Sequence, residues 1–223
     1  MLALFDLDNT LVDRSAAMRR WAQMLARHEG LPESAVEAIV DADGEGEMPR
    51  REFLAVVQAL PGVRMSLKEL QDWYMANYAS CYLPDANSIQ ALTLLRDARW
   101  RIGVVTNGSK ARTVEKLARV GLEPLIDALC VAEEFGIRKP DRRIFVEIAR
   151  RCGVALDGWM IGDAPVEDIC GAVRAGLRTA WVRRGRRWNE HLCRPDLEVD
   201  SVLEAAIAIV RPARAAPDRH RLQ

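Results

Sequence analysis

The sequence predicts an α/β fold: a parallel sheet with flanking helices, and a small all-helical domain inserted after the first strand. Three observations carry this reading. From Trp100 onward, short β-branched runs alternate with amphipathic helical stretches, the pattern of strands joined by helical crossovers. An apolar run, Leu2–Leu7, opens the chain as a further strand. Between them, residues 14–83 contain no β-rich run, only apolar residues at helical spacing.

Each element has its own signal. Leu2–Leu7 reads as the first strand and closes on Asp6, Asp8 and Asn9. In the insert, Met18, Trp21 and Leu25 mark one helix, stopped by Gly30-Leu31-Pro32. Val36, Ile39 and Val40 mark a second; Phe53, Leu54, Val57 and Leu60 a third, stopped by Pro61-Gly62. Ser66-Leu-Lys-Glu69 is a capping box opening a fourth, which carries Leu70, Trp73 and Tyr74. Pro84-Asp85 opens a helix with Ile89, Leu92 and Leu95 on its apolar face. Strands are expected at 101–106, 128–131, 158–161 and 178–182, and helices at 109–120, 141–152, 165–175 and 201–210. Gly121 and Gly176 are placed as helix stops, and Pro165 suits a first turn. The division is therefore an α/β domain from 1–13 and 84–210, a helical insert at 14–83, and a Pro-, Arg- and Ala-containing tail at 211–223 that reads as weakly ordered.

Composition narrows the function classes. Hydrophobic residues make up 49% and charged residues 29%, as in ordinary globular proteins. Lys+Arg and Asp+Glu number 32 each, so no global field draws the chain to nucleic acid or an anionic membrane. No apolar run is long enough to span a bilayer, and Asp6 and Asp8 interrupt the N-terminal run too early for a signal peptide. The five cysteines (Cys81, Cys130, Cys152, Cys170 and Cys193) are an odd set without a C-x-x-C pair. They read as buried, reduced thiols of a cytoplasmic protein, neither a disulfide framework nor a zinc site.

The strand ends carry the chemistry. Asp6 and Asp8 end the first, Thr106-Asn107-Gly108 the second, and Lys139 in Arg138-Lys139-Pro140-Asp141 follows the third. Gly162-Asp163 ends the fourth, with Asp168 five residues on. In a parallel sheet these ends share one edge, where ligands bind. Clustered carboxylates repel one another unless a hard cation sits among them, and magnesium takes oxygen ligands and needs few protein carboxylates. A charged Asp6 is then a usable nucleophile. Thr106 and the amides opening the next helix suit a phosphate oxygen, and Lys139 offsets surplus negative charge. The set is an apparatus for phosphoryl transfer.

Asp6-Leu-Asp8-Asn-Thr10, Thr106-Asn-Gly108, Lys139-Pro140 and Gly162-Asp163-x-x-x-x-Asp168 occur in the order, and with the spacing, of four motifs. Together they resemble the haloacid dehalogenase-like hydrolase superfamily over Met1 to about Val182. The resemblance implies a Rossmann-like core, with the helical insert as a mobile cap closing over small substrates. It implies Asp6 as nucleophile and magnesium ligand, and Asp8 as general acid and then base, its main-chain carbonyl facing the metal. It further implies Thr106, Asn107 and Lys139 as phosphate-binding residues, Asp163 as a metal ligand, and Asp168 as a further acidic contact, direct or through water.

Asp8 points within this superfamily to a phosphatase acting on a small phosphate ester, because dehalogenases lack an aspartate there. A phosphomutase, which also carries the second aspartate, is the alternative; a dehalogenase or a catalytically silent binding protein would be the others. Lys68, the cap's lysine, follows a capping box and reads as a surface charge, unlike the Schiff-base lysine of phosphonate hydrolysis in this family. Ala164 departs from the polar residue more often found beside Asp163. The remaining candidates read as structural: His28, His191 and His220 as surface or partly buried, the six tryptophans as packing, Asp41, Asp43, Glu45 and Glu47 as a solvated acidic loop, with a substrate-facing cap loop as the alternative, and Arg183, Arg184, Arg186 and Arg187 as a solvated run, with contact to an anion or a partner as the alternative. Substrate identity and oligomeric state have no readable signal.

Overall fold

A computed structural model describes residues 1–46 and 48–210. Glu47, His220 and the tail at 211–223 lie outside the described residues. The chain separates into two compact units. Of the described residues, one comprises Met1–Leu11, Asp85–Thr113 and the chain from Leu122 to Val210; the other comprises Val12–Pro84 and Val114–Gly121.

The first unit is built on a six-stranded sheet: β1 (Leu2–Phe5), β2 (Arg101–Thr106), β3 (Ala128–Val131), β4 (Gly158–Gly162), β5 (Arg178–Val182) and β6 (Leu197–Val199), in the order β3-β2-β1-β4-β5-β6. Every pairing is parallel. Parallel strands need crossovers, and the amphipathic stretches between them supply helices. β1 lies between β2 and β4, with Phe5 level with Val104 on one side and Ile161 on the other. That register brings the carboxyl ends of these strands to one edge. All four β1 side chains are buried, as expected where a parallel sheet is covered by helices. The helix Arg142–Arg151 packs on β2 and β3 and contributes Ile144, Phe145 and Ile148 to the cluster around Leu4, Val105 and Met160. The helix Ala86–Asp97 packs on β2 and on the last helix, Val202–Val210.

β6 is absent from the sequence reading. Its three residues are too short to show alternation, and Pro195-Asp196 precedes them. The stretch read as one helix from Pro165 is a π-helical segment, Pro165–Cys170, continued by an α-helical turn, Gly171–Ala175. Both Asp168 and Ile169 N–H groups donate to the Ala164 carbonyl, at 3.0 and 3.3 Å, which widens the first turn. The cysteine expectation needs correction too. Cys170 and Cys193 form a disulfide with Cα atoms 5.5 Å apart, while Cys81, Cys130 and Cys152 are free and buried. The pair is 23 residues apart and meets because the chain after β5 folds back onto the π-helical segment. No sequence spacing announces such a contact.

The second unit is built mainly on α1 (Arg14–Glu29), α2 (Glu33–Asp43), α3 (Arg50–Gln58) and α4 (Leu67–Asn77). Trp21, Phe53, Val57, Leu70 and Tyr74 are fully buried among them, with the Trp21 and Tyr74 rings 5.0 Å apart, edge to face. The Ser66–Glu69 capping box is formed, and Gly30 closes α1 in the left-handed region. Lys68 is an exposed side chain paired with Asp72. Asp43 corrects the reading of a solvated acidic loop. It lies at the end of α2, packed against α1, and accepts two hydrogen bonds from Arg14 at 2.6 and 2.8 Å, while Asp41 and Glu45 are exposed. Among the described residues, no helix is long and apolar enough to cross a membrane.

Candidate active site

β1 stays paired one residue beyond its end: the Asp6 N–H donates to the Ile161 carbonyl at 3.0 Å. The chain then turns sharply, with Thr10 and Leu11 N–H groups both donating to the Leu7 carbonyl, at 3.3 and 3.0 Å. Asn9 has φ +62°, a conformation asparagine tolerates better than most residues. The turn leaves Asp8 half-buried and brings the Thr10 hydroxyl 3.3 Å from Asp163 Oδ1, to which it donates.

Thr106, at the end of β2, is buried, and its hydroxyl accepts from the Gly108 N–H at 3.3 Å. The Asn107 side chain is engaged on both sides by the Lys139 main chain. Its amide donates to the Lys139 carbonyl at 3.1 Å and its oxygen accepts from the Lys139 N–H at 2.8 Å. The amide thereby ties the second motif to the third. The Lys139-Pro140 peptide bond is cis.

The Lys139 ammonium bridges two carboxylates, donating to Asp6 Oδ1 at 2.5 Å and to Asp168 Oδ1 at 2.6 Å. Asp168, fully buried, also accepts from the Ala164 N–H at 3.0 Å through Oδ2. One carboxylate oxygen each from Asp6, Asp163 and Asp168 lies within 4.8 Å of the others. Three buried carboxylates exceed what one lysine neutralises, and an all-oxygen donor set suits a hard cation such as magnesium.

The electrostatics express this crowding. Burial raises the Asp6 pKa to about 7, with the Asp168 and Asp8 charges adding and Lys139 opposing. Burial likewise raises Asp163 to about 6, helped by Asp6 and opposed by Arg186 and Arg184. Asp168 is raised, chiefly by burial, against the pull of Lys139. Burial acts to depress the Lys139 pKa, but Asp168 and Asp6 together hold it above the ordinary lysine value. A bound divalent cation reverses this preference and favours the ionised carboxylates.

Asp6, Thr106, Asn107, Lys139, Asp163 and Asp168 thus meet at one sheet edge, with Asp8 close enough to act on the charge of Asp6. Three contributors were missed. Thr10 donates to Asp163, and its place inside the first motif is the sequence signal that marks it. The Trp181 indole donates to the Asp163 carbonyl at 2.9 Å. Arg186, read as solvated, donates to Asp163 Oδ2 at 2.9 Å and to its carbonyl at 2.7 Å. A loop brings it there, and loop direction leaves no periodic trace in the sequence.

Comparison with known proteins identifies the family and the fold. Residues 1–176 match the family model of the haloacid dehalogenase-like hydrolases. A glyceraldehyde 3-phosphate phosphatase of Methanopyrus kandleri is 30% identical, over 88% of this chain and 91% of that protein. A phosphoserine phosphatase of Thermus thermophilus is also 30% identical, over 87% and 82%. The magnesium-bound structure of the HAD-hydrolase YfnB from Bacillus subtilis superposes with a TM-score of 0.73 at 22% identity, over 93% of this chain and 97% of that one, a likeness of fold. With a six-stranded parallel sheet, a buried acidic edge and a family match across most of its length, this chain is a hydrolase and belongs to the haloacid dehalogenase-like family.

Proposed function

We propose that the protein is a magnesium-dependent phosphatase that hydrolyses a small phosphorylated metabolite through an aspartyl-phosphate at Asp6, in the cytoplasm. The observation that carries this reading is the cluster of Asp6, Asp163 and Asp168 oxygens within 4.8 Å, with Lys139 bridging two of them. Relatives named as phosphatases of three-carbon phosphate esters support the substrate class.

Asp6, Asp163 and the Asp8 main-chain carbonyl would hold the magnesium ion. The ion supplies neutralisation of the phosphoryl oxygens and keeps the buried carboxylates ionised. Thr106, with Asn107, holds the phosphoryl group opposite Asp6. An Asp6 carboxylate oxygen bonds to phosphorus as the ester P–O bond breaks, and Asp8 gives its proton to the departing alkoxide. Asp8, now a carboxylate, takes a proton from the water that attacks phosphorus. Phosphate leaves and Asp6 is restored. Lys139 opposes the effect of burial on Asp6 and holds its carboxylate in place, with Asp168 holding the lysine from its other side. The helical unit serves as the cap, and substrate choice resides in it.

Asp6→Asn tests the reading. The variant keeps only a neutral amide oxygen for the ion, so it should bind magnesium more weakly and lose hydrolysis of p-nitrophenyl phosphate even at saturating magnesium; full magnesium-dependent turnover would remove Asp6 as nucleophile. Released inorganic phosphate as the main product separates hydrolysis from transfer to a second hydroxyl.

A further inference from the structure

Arg186 reaches Asp163 by a built route. The chain leaves β5 and reverses over Arg183–Arg186, with Arg184 and Gly185 at φ +51° and +76° and the Arg186 N–H donating to the Arg183 carbonyl at 2.9 Å. This reversal places a non-glycine residue in the left-handed region. The Arg183 guanidinium fixes its start, donating to the two Asp200 carboxylate oxygens at 3.0 and 2.5 Å. Arg186 Nη2 then grips Asp163 twice, at the carbonyl and at Oδ2, while Nε donates to the Arg183 carbonyl at 3.2 Å. The Trp181 indole holds the same Asp163 carbonyl, and Trp188 packs edge-on against Trp181 with ring centroids 4.8 Å apart. Farther along, Cys193 anchors the loop to Cys170, two residues after Asp168. One loop is therefore fastened to the Asp163 segment by an arginine and to the Asp168 segment by a covalent bond.

We infer that Arg186 is a positioning residue for Asp163, and that the Cys170–Cys193 bond holds the loop that delivers it, so that the cation affinity of the site depends on whether this bond is closed. The inference rests on Asp163 being a ligand of the proposed magnesium ion. A carboxylate among like charges rotates away from them unless something holds it. A guanidinium that bonds both the side chain and the main chain of one residue fixes its rotamer, which a lysine's single point charge does not. Opening the bond removes the one covalent anchor of the loop beyond the turn and leaves the turn to non-covalent contacts, those of Arg183 with Asp200 and of Trp188 with Trp181. The chemistry balances with a dithiol as reductant: two electrons and two protons pass to the S–S bond, Cys170 and Cys193 become thiols, and the dithiol closes to its own disulfide. A reducing cytoplasm sets the state of such a pair.

The test is isothermal titration of the metal-free full chain with magnesium chloride, without substrate. Wild type is measured before and after dithiothreitol, beside Arg186→Gln, Arg186→Lys, Cys193→Ser, the Arg186→Gln/Cys193→Ser double variant and Asp163→Asn. Far-UV circular dichroism checks that each is folded. Arg186→Gln should weaken magnesium binding by about 10- to 100-fold, the range for losing a group that orients a metal ligand. Arg186→Lys should stay well below wild type. Cys193→Ser and dithiothreitol-treated wild type should weaken binding in the same direction. The double variant should match Arg186→Gln to within about twofold, because both changes act through one contact. Wild-type affinity in folded Arg186→Gln overturns the positioning role, and full rescue by Arg186→Lys reduces it to charge alone. Wild-type affinity in Cys193→Ser and after dithiothreitol, or fully additive losses in the double variant, overturns the covalent link. If wild type fails to bind magnesium, or Asp163→Asn binds it normally, the metal reading itself falls and takes this inference with it.

Discussion

Replacing Gly162 by alanine puts a methyl carbon 2.3 Å from Asp168 Oδ2, 2.4 Å from its Cγ and 2.5 Å from its Cβ. None of these distances is tolerable, so something must move. The β4 backbone is held, since Gly162 is in register with Trp181 of β5. Asp168 must therefore shift, and it is fully buried and bonded to Lys139 Nζ at 2.6 Å and the Ala164 N–H at 3.0 Å. Overpacking costs about 1–3 kcal/mol, and weakening one hydrogen bond to a charged group about 1.5–3 kcal/mol. A total near 4 kcal/mol lowers the melting temperature by about 8–16 °C in a chain of this size. Scanning calorimetry of the metal-free variant measures it. Activity should fall as well, because Lys139 loses the partner that holds it against Asp6. Gly108→Ala is the control for stability: its methyl would lie 3.6 Å from the Thr106 and Thr113 hydroxyls, an ordinary contact. A Gly162→Ala protein that melts and turns over like wild type would show that Asp168 is not packed over that glycine, and the account of how Lys139 is held would fail with it.

Other consequences can be measured separately. The Asp6 pKa, raised from 3.8 to about 7, means the fold favours the protonated acid. That contribution is complete below about pH 4 and is lost as pH rises through 7 in metal-free protein. Magnesium should therefore raise the melting temperature more at pH 8 than at pH 5, and equal shifts at both would refute the electrostatic account. In the helical unit, Arg14→Leu leaves the buried Asp43 carboxylate without its bidentate partner and should cost about 3–5 kcal/mol in urea unfolding, largely recovered by adding Asp43→Leu. Removing the capping-box hydroxyl with Ser66→Ala should cost about 1 kcal/mol by the same assay and leave hydrolysis unchanged.

What the sequence disclosed follows from how each residue reaches its place. Thr106 ends a strand, Asp6, Asn107 and Asp163 stand directly beyond strands, and a strand in a parallel sheet has a fixed direction. Once β1, β2 and β4 are recognised from their apolar runs, geometry delivers the residues after them to one edge. Asp168 is nearly as accessible to this reasoning, being one turn into the segment that follows β4, although the sequence gives no hint that its partner is Lys139. Asn107 was legible in position but not in what it touches: its amide is engaged by the Lys139 main chain, a contact between loops 32 residues apart.

Arg186, Cys193 and Asp43 mark where that reasoning stops. Each depends on the path of a turn or on the angle between two helices, and neither quantity has a period. Arg186 comes from a run of four arginines within five residues, which composition alone reads as a solvated surface. One of them bonds the carboxylate expected to carry the metal, and a second, Arg183, is spent on Asp200 to fix the turn. A buried carboxylate with no counter-charge on its own strand needs one from elsewhere, so the surplus of acids at the sheet edge was itself the clue. Lys139 alone could not balance Asp6, Asp163 and Asp168, and the basic run directly after β5, the strand paired with β4, supplies a further positive charge to Asp163 through Arg186.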